Sequence, residues 1–311
     1  MPKPIGGLQS ILFPLVTFLY ITALTGNFLL VLAICTCKKL HTPMYFLLIN
    51  LSAVNVFSIS VTTPKWLQAL FTHRRTISFQ GCVTQMFLFI WALVTELLLL
   101  SFMAFDRYAA ICHPLQYRMI MRKEVCIAMG MIVWGFGLLN SVIQTAVLLP
   151  LSFCQDNVIN HFFCDFPPLL KTSCSDTSMN ERMAIASDTV FGLISCGFTL
   201  TSYFFIMRSI FKIRSAEGKR KAFSTCSSHL FVVTFYFSAV MYTYMRPRSS
   251  YSPDTDKWVN LLYSVGTPVL NPMIYSLRNK DVKEGLRTLI RGGQQFQRPQ
   301  VSTIKASRSL C

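Results

Sequence analysis

Apolar residues run along the chain in long blocks separated by short polar links. Over 11–35, 43–64, 82–105, 125–151, 184–207, 222–245 and 258–277, the only Asp, Glu, Lys or Arg residues are Glu96 and Asp188. A helix rising 1.5 Å per residue crosses a hydrocarbon core of about 30 Å in about 20 residues, so each block predicts one spanning helix. The first is longer than the apolar core of a secretory leader, about 7–15 residues, and is read as span one. The pattern therefore predicts an all-α membrane protein, a seven-helix bundle occupying 1–290. After the seventh span, Val282, Leu286 and Leu289 alternate with Lys280, Lys283 and Arg287, as in a short helix lying on the inner leaflet. The polar remainder, 291–311, is expected to be a disordered cytoplasmic tail.

Composition agrees. Hydrophobic residues make up 52% of the 311 and charged residues 14%, against about 25% charged in a soluble domain. Most of the 29 Lys and Arg fall on alternate links: Lys38 and Lys39; Arg107, Arg118, Arg122 and Lys123; Arg208, Lys212, Arg214, Lys219, Arg220 and Lys221; and the tail. The positive-inside rule puts these links in the cytosol and the N-terminus outside, in a multi-pass protein. A net charge of +16 raises the idea of nucleic acid, but bases spread over four juxtamembrane segments match anionic lipid instead. Of eleven cysteines, Cys82, Cys154, Cys164 and Cys174 fall on the outer side, where disulfides form; four cysteines allow three pairings.

Catalysis has no visible constellation. GxSxG, HExxH, a Gly-rich phosphate loop and paired CxxC are all absent, the five His are scattered, and neither a cofactor nor a metal is predicted. An odd number of spans without internal symmetry argues against an inverted-repeat transporter. The informative charges are Asp106 and Arg107, an acid-base pair at the inner end of span three, where charge is costly and usually functional. At about 100° per residue, Phe89, Leu93, Glu96 and Leu100 lie within about 40° of Arg107 on one stripe, so Glu96 faces protein, near Asn27, Asn55 and Asn271.

Four segments carry a family resemblance: PMYFLLINLS at 43–52, MAFDRYAAIC at 103–112, KAFSTCSSHL at 221–230 and PVLNPMIYSLRN at 268–279. They resemble, in order, the signatures of the vertebrate odorant receptors, a branch of the rhodopsin-like G-protein-coupled receptors. The resemblance implies a plasma-membrane receptor that binds a small, weakly polar odorant and activates the stimulatory olfactory G protein, raising cyclic AMP. A receptor for an endogenous metabolite would carry the same residues. Asp106 would restrain Arg107 beside Tyr108; Asn271 and Pro272 would form a hinge carrying Tyr275 inward, with Tyr203 as its counterpart. The implied disulfides are Cys82–Cys164 and Cys154–Cys174. Where the family has an Asp, this chain has Asn55, so the carboxylate pair for a sodium ion is incomplete at Glu96. Residues 1–10 have no Asn-x-Ser/Thr site and the one at Asn50 lies within a span, so limited surface delivery is expected.

The implied ligand pocket lies among spans three, five, six and seven. Helical phase selects Phe89, Ile90, Leu93 and Val94 from span three, and Ser187, Asp188, Phe191 and Gly192 from span five. Tyr236, Ala239, Val240 and Thr243 come from span six, and Leu261 and Ser264 from span seven. Asp188 is the ionisable group at pocket depth, an acceptor for an alcohol. No acid occupies the outer half of span three, which argues against an amine ligand.

Overall fold

A computed structural model describes residues 6–72, 75–154, 158–245, 253–278 and 280–290. The expected disordered tail lies outside these residues, as do residues 1–5. Six helices are long and apolar enough to cross a membrane: α1 (Gly6–Thr36), α2 (Pro43–Thr72), α3 (Phe79–Cys112), α4 (Lys123–Leu148), α5 (Ser178–Lys212) and α6 (Ala216–Tyr244). A further helical run, α7, passes without a break through Pro253–Leu261, Leu262–Gly266 and Thr267–Arg278, and α8 follows at Lys280–Ile290. Among the described residues extended pairing is limited to one bridge, Phe153 with Ser173.

Local chemistry sets the helix ends. Ser78 precedes α3 and accepts from the Gly81 backbone N–H at 3.1 Å, and Ser215 does the same for Gly218 before α6; each satisfies a donor that the first turn would otherwise strand. Proline falls inside α1 at Pro14, α2 at Pro64 and α7 at Pro272. The loss at Pro272 is made good from a neighbouring helix. Proline has no N–H, so the carbonyl four residues back, Pro268 O, loses its partner. The Asn27 amide of α1 donates to that oxygen at 2.9 Å. Asn55 in turn donates to Asn27 Oδ1 at 3.2 Å and accepts from Asn271 at 3.3 Å, so a chain of carboxamides links α1, α2 and α7.

Helix α3 is the buried axis; Leu97, Leu99, Leu100 and Met103 are all buried. Its approach to α4 is set by Gly137. A methyl group there would collide with Thr95 Oγ1 and lie 2.9 Å from the Trp91 carbonyl. At the same crossing Trp91 Nε1 donates to the Trp134 carbonyl at 3.0 Å, and Trp134 Nε1 reaches Asn50 Oδ1 of α2 at 3.1 Å. By contrast α1, α4 and α5 keep large apolar side chains on the outside, among them Phe18, Phe28, Met131 and Phe204, as lipid contact requires. Two helices depart from the regular 3.6 repeat: α5 widens to a π-helical turn at Asp188–Ile194, and α7 at Leu262–Gly266.

Helix α8 packs back on the bundle through its apolar face. Val282 is fully buried, Leu286 packs on the core, and Glu284 meets Lys39 at 3.6 Å. Lys283 and Arg287 are exposed; the side chains of Lys280 and Leu289 lie outside the described residues.

Candidate functional site

A cavity of about 470 Å³ opens between α3, α4, α5 and α6 beneath the segment that joins α4 to α5. Nine of the residues expected from helical phase line it: Ile90, Leu93, Val94, Ser187, Asp188, Phe191, Gly192, Val240 and Thr243. At Gly192 the missing side chain leaves room opposite Met245. The α3 wall is wholly apolar, continuing to Leu97. The cavity differs from the expected one in two respects: α7 does not line it, and α4 does, through Asn140 and Gln144.

The joining segment explains the exclusion of α7. Cys164 is bonded to Cys82 at the start of α3, and Cys154 to Cys174, with Cα separations of 5.3 and 5.7 Å. Gln85 of α3 reinforces the first link: its carbonyl oxygen accepts from the Cys164 backbone N–H at 2.9 Å while its amide donates to Val61 O. Thus anchored, the segment drives Phe162 and Phe163 between α2, α3 and α7. Phe162 packs on Trp66 at 4.6 Å and Trp258 at 5.2 Å, and Phe163 on Phe89 at 4.6 Å. Phe89 is consumed in this packing and is absent from the cavity wall. Tyr236 turns to the Leu93 carbonyl (3.4 Å), and Ala239, Leu261 and Ser264 also lie off the wall.

Beside the cavity runs a buried polar network that the sequence reading did not anticipate. Asn260 of α7 donates to Asp165 at 3.1 Å and to His161 Nε2 at 2.9 Å, and accepts from Thr243 at 3.0 Å. Tyr244 donates to Asp165 at 2.8 Å and lies 3.1 Å from the Tyr263 hydroxyl. His161 Nδ1 faces the Phe163 carbonyl at 2.9 Å; since a carbonyl can only accept, the proton sits on Nδ1 and Nε2 takes the Asn260 bond, which makes the ring neutral. Burial pushes His161 down to about 4, and pushes Asp165 up to about 6 against the opposing bonds from Tyr244, Phe166 N and Asn260. Because each cost is the removal of a charge from water, these groups hold the segment to α6 and α7 best when uncharged. The only sign of this in the sequence is an acid and a His near the bridged cysteine.

At the opposite end of the bundle, Asp106 is buried and accepts from the Tyr117 hydroxyl at 2.7 Å. The expected restraint of Arg107 by Asp106 is not formed as a contact: no ion pair joins the two, whereas Lys39 and Glu284, and Arg122 and Glu124, are paired. Tyr117 takes the position at the carboxylate instead, and its own hydroxyl is pushed up, chiefly by burial and then by Asp106. Tyr108 packs edge-on against His113 and on Phe205. Tyr203, expected as the counterpart of Tyr275, is hydrogen-bonded to His229 Nδ1 at 2.6 Å. The Tyr275 hydroxyl is buried without a hydrogen-bond partner among the described residues, close enough to Arg107 to feel its charge. At mid-depth Glu96 is buried beside Tyr236 and Asn271. Among the described residues no three His, Cys, Asp or Glu converge on a metal-sized site.

A family model described as olfactory receptor matches residues 16–291. The chain belongs to the olfactory receptor family. Individual relatives agree: it is 49% identical to olfactory receptor 13A1 of Homo sapiens over 278 residues, covering 89% of this chain and 85% of that one. It is 46% identical to human olfactory receptor 13G1 over 280 residues, 90% and 91% of the two chains. With olfactory receptor 5AP2 of Mus musculus it shares 46% over 284 residues, 91% of this receptor and 89% of the mouse protein. These are receptors and not enzymes, and the receptor's apolar helices accord with a multi-pass membrane protein.

Proposed function

We propose that this receptor sits in the plasma membrane with seven spans, α1 to α7, its N-terminus outside, and that it binds a small, weakly polar odorant in the cavity between α3, α4, α5 and α6. Binding there activates the stimulatory olfactory G protein at the Arg107 end and raises cyclic AMP. The observation that carries this reading is the cavity: about 470 Å³, walled mainly by Ile90, Leu93, Val94, Leu97, Phe191 and Val240, within the range of about 300–1,000 Å³ that small-ligand sites occupy. It lies under a disulfide-tethered segment, at the opposite end of α3 from Arg107.

Coupling follows from the layout. A ligand between α3 and α6 changes the packing of Val240 and Thr243; Thr243 is bonded to Asn260, and α7 carries Pro272 and Tyr275 toward Arg107. The ligand need only prefer one of two arrangements of these helices to shift their populations. Glu96, lacking a carboxylate partner at Asn55, is assigned to packing and hydrogen bonding here and not to sodium.

The test is a cyclic AMP screen of the tagged receptor, co-expressed with the olfactory stimulatory G protein, against a panel of small odorants. At least one compound should give a saturable rise that depends on receptor expression. A receptor present at the surface that responds to no compound, or that passes ligand-gated current without G protein, would overturn the reading.

A further inference from the structure

The α4 wall of the cavity carries the feature that sequence reasoning did not reach. Asn140 is only 7% exposed and lines the cavity. It belongs to neither of the polar networks described above and makes no hydrogen bond with the described residues. One turn along the same face is Gln144, also lining and 4% exposed. Its amide nitrogen donates to the Met183 carbonyl at 3.3 Å. Because a carbonyl cannot donate, that bond fixes which end of the Gln144 amide is nitrogen, and the other end, Oε1, is buried with no donor among the described residues. A nearly buried carboxamide without a partner is unusual, since such groups are ordinarily hydrogen-bonded.

We infer that Asn140 is the polar anchor of the ligand, and that the preferred ligand is an apolar molecule bearing one hydroxyl group. This rests on the proposed odorant-binding role of the cavity. The stoichiometry of donors and acceptors selects the hydroxyl. Asn140 offers Nδ2–H and Oδ1 to the cavity, and an alcohol or phenol answers both, donating to Oδ1 while accepting from Nδ2. An ether, ketone or ester accepts only and leaves Oδ1 bare, beside Gln144 Oε1, which has no donor among the described residues. The α3 wall, from Ile90 to Leu97, is apolar and takes the hydrocarbon part. Asp188 also lines the cavity, but from the start of the π turn of α5 and not from α4, so the two candidate anchors can be separated by mutation.

The experiment measures concentration-response curves for a series of alcohols and their methyl ethers on the wild type, Asn140→Leu, Asn140→Ser and Asp188→Asn, at matched surface levels. Thermal stabilisation of the purified receptors by the same compounds reads binding without the G protein. The wild type should favour each alcohol over its ether about 10-fold, the worth of one satisfied polar contact in a desolvated site. Asn140→Leu should abolish that preference while leaving ether potency within about 2-fold, and Asn140→Ser should restore part of it; Asp188→Asn should keep it. A wild type that responds to odorants but treats alcohols and ethers alike, or a preference lost at Asp188 and retained in Asn140→Leu, would overturn the inference with the receptor reading intact. If no odorant evokes a response or shifts melting, the receptor reading fails and the inference fails with it.

Discussion

Asn27 supplies a hydrogen bond that Pro272 removes from its own helix, and this is open to a quantitative test. Replacing Asn27 by Leu strands two groups: the Pro268 carbonyl, 2.9 Å from the Asn27 amide, and one N–H of Asn55, 3.2 Å from Asn27 Oδ1. Interhelical polar contacts in membrane proteins average about 0.6 kcal/mol, and a buried orphan group costs about 1–3 kcal/mol. Two such losses make Asn27→Leu destabilising by about 1–6 kcal/mol. The size alone would not identify the cause, because any interior substitution costs something similar. Pro272→Ala does identify it. Alanine restores an N–H at position 272, which can reach Pro268 O along the helix, so in that background Asn27→Leu strands one group in place of two. The double-mutant cycle should therefore show coupling of about 1 kcal/mol, with the pair less unstable than the sum. Unfolding free energies of the four proteins in mixed micelles, followed by circular dichroism, give the number. Additivity within about 0.3 kcal/mol, as for independent sites, would refute the assignment of Asn27 to Pro268.

Three further outcomes are expected. Arg107→Ala should abolish odorant-evoked cyclic AMP with surface staining unchanged; normal signalling at matched expression would remove Arg107 from the switch. Val240→Ala should enlarge the cavity and shift preference toward agonists one or two methylenes longer, by about 1–3 kcal/mol per step; an equal shift for all chain lengths would place Val240 outside the site. Asp165→Asn should be most stabilising, relative to wild type, above pH 6. Asp165 has a folded value of about 6 against an ordinary 3.8, so its contribution is fully present below pH 4 and lost as pH rises through 6, by an amount on the order of 3 kcal/mol. The neutral His161 has the opposite dependence, losing its contribution as pH falls from 6.5 through 4. The comparison is therefore made between melting curves of Asp165→Asn and wild type at matched pH; a difference that does not change between pH 4.5 and 7.5 would contradict the burial of an ionisable acid.

Those parts of the molecule that follow a straight helix were legible in the sequence. The stripe on α3 is regular throughout, so phase alone placed Ile90, Leu93 and Val94 on the cavity and Glu96 in the interior. Phase also selected Phe89, which does face inward, but toward Phe163; no periodicity within α3 can reveal that a segment more than seventy residues away will fill the space in front of it. The same insertion removed Leu261 and Ser264 from the wall. On α4 the difficulty was different. Asn140 and Gln144 lie in a block without charges, where carboxamides read as ordinary interior polar residues, and only the opening between α4 and α5 shows that one of them lacks a partner. At the Arg107 end, the hydrogen bond from Tyr117 to Asp106 depends on the short turn after α3, whose path the sequence does not state.

The π turn at Asp188–Ile194 has a consequence for how α5 tolerates change in length. Relative to an α-helix it accommodates an additional residue, bulged out so that the helix before and after it keeps its faces. Removing a residue from a regular stretch such as 199–206 would rotate everything beyond it by about 100°, carrying Tyr203 away from His229 or Ser187 away from the cavity. Removing one from within 188–194 would instead relax the wide turn to an ordinary one and leave both flanks in place. The segment is thus a reserve of chain length: the part of α5 beside the cavity can gain or lose a position, and so present a different wall to the ligand, while the part beside Arg107 stays in register.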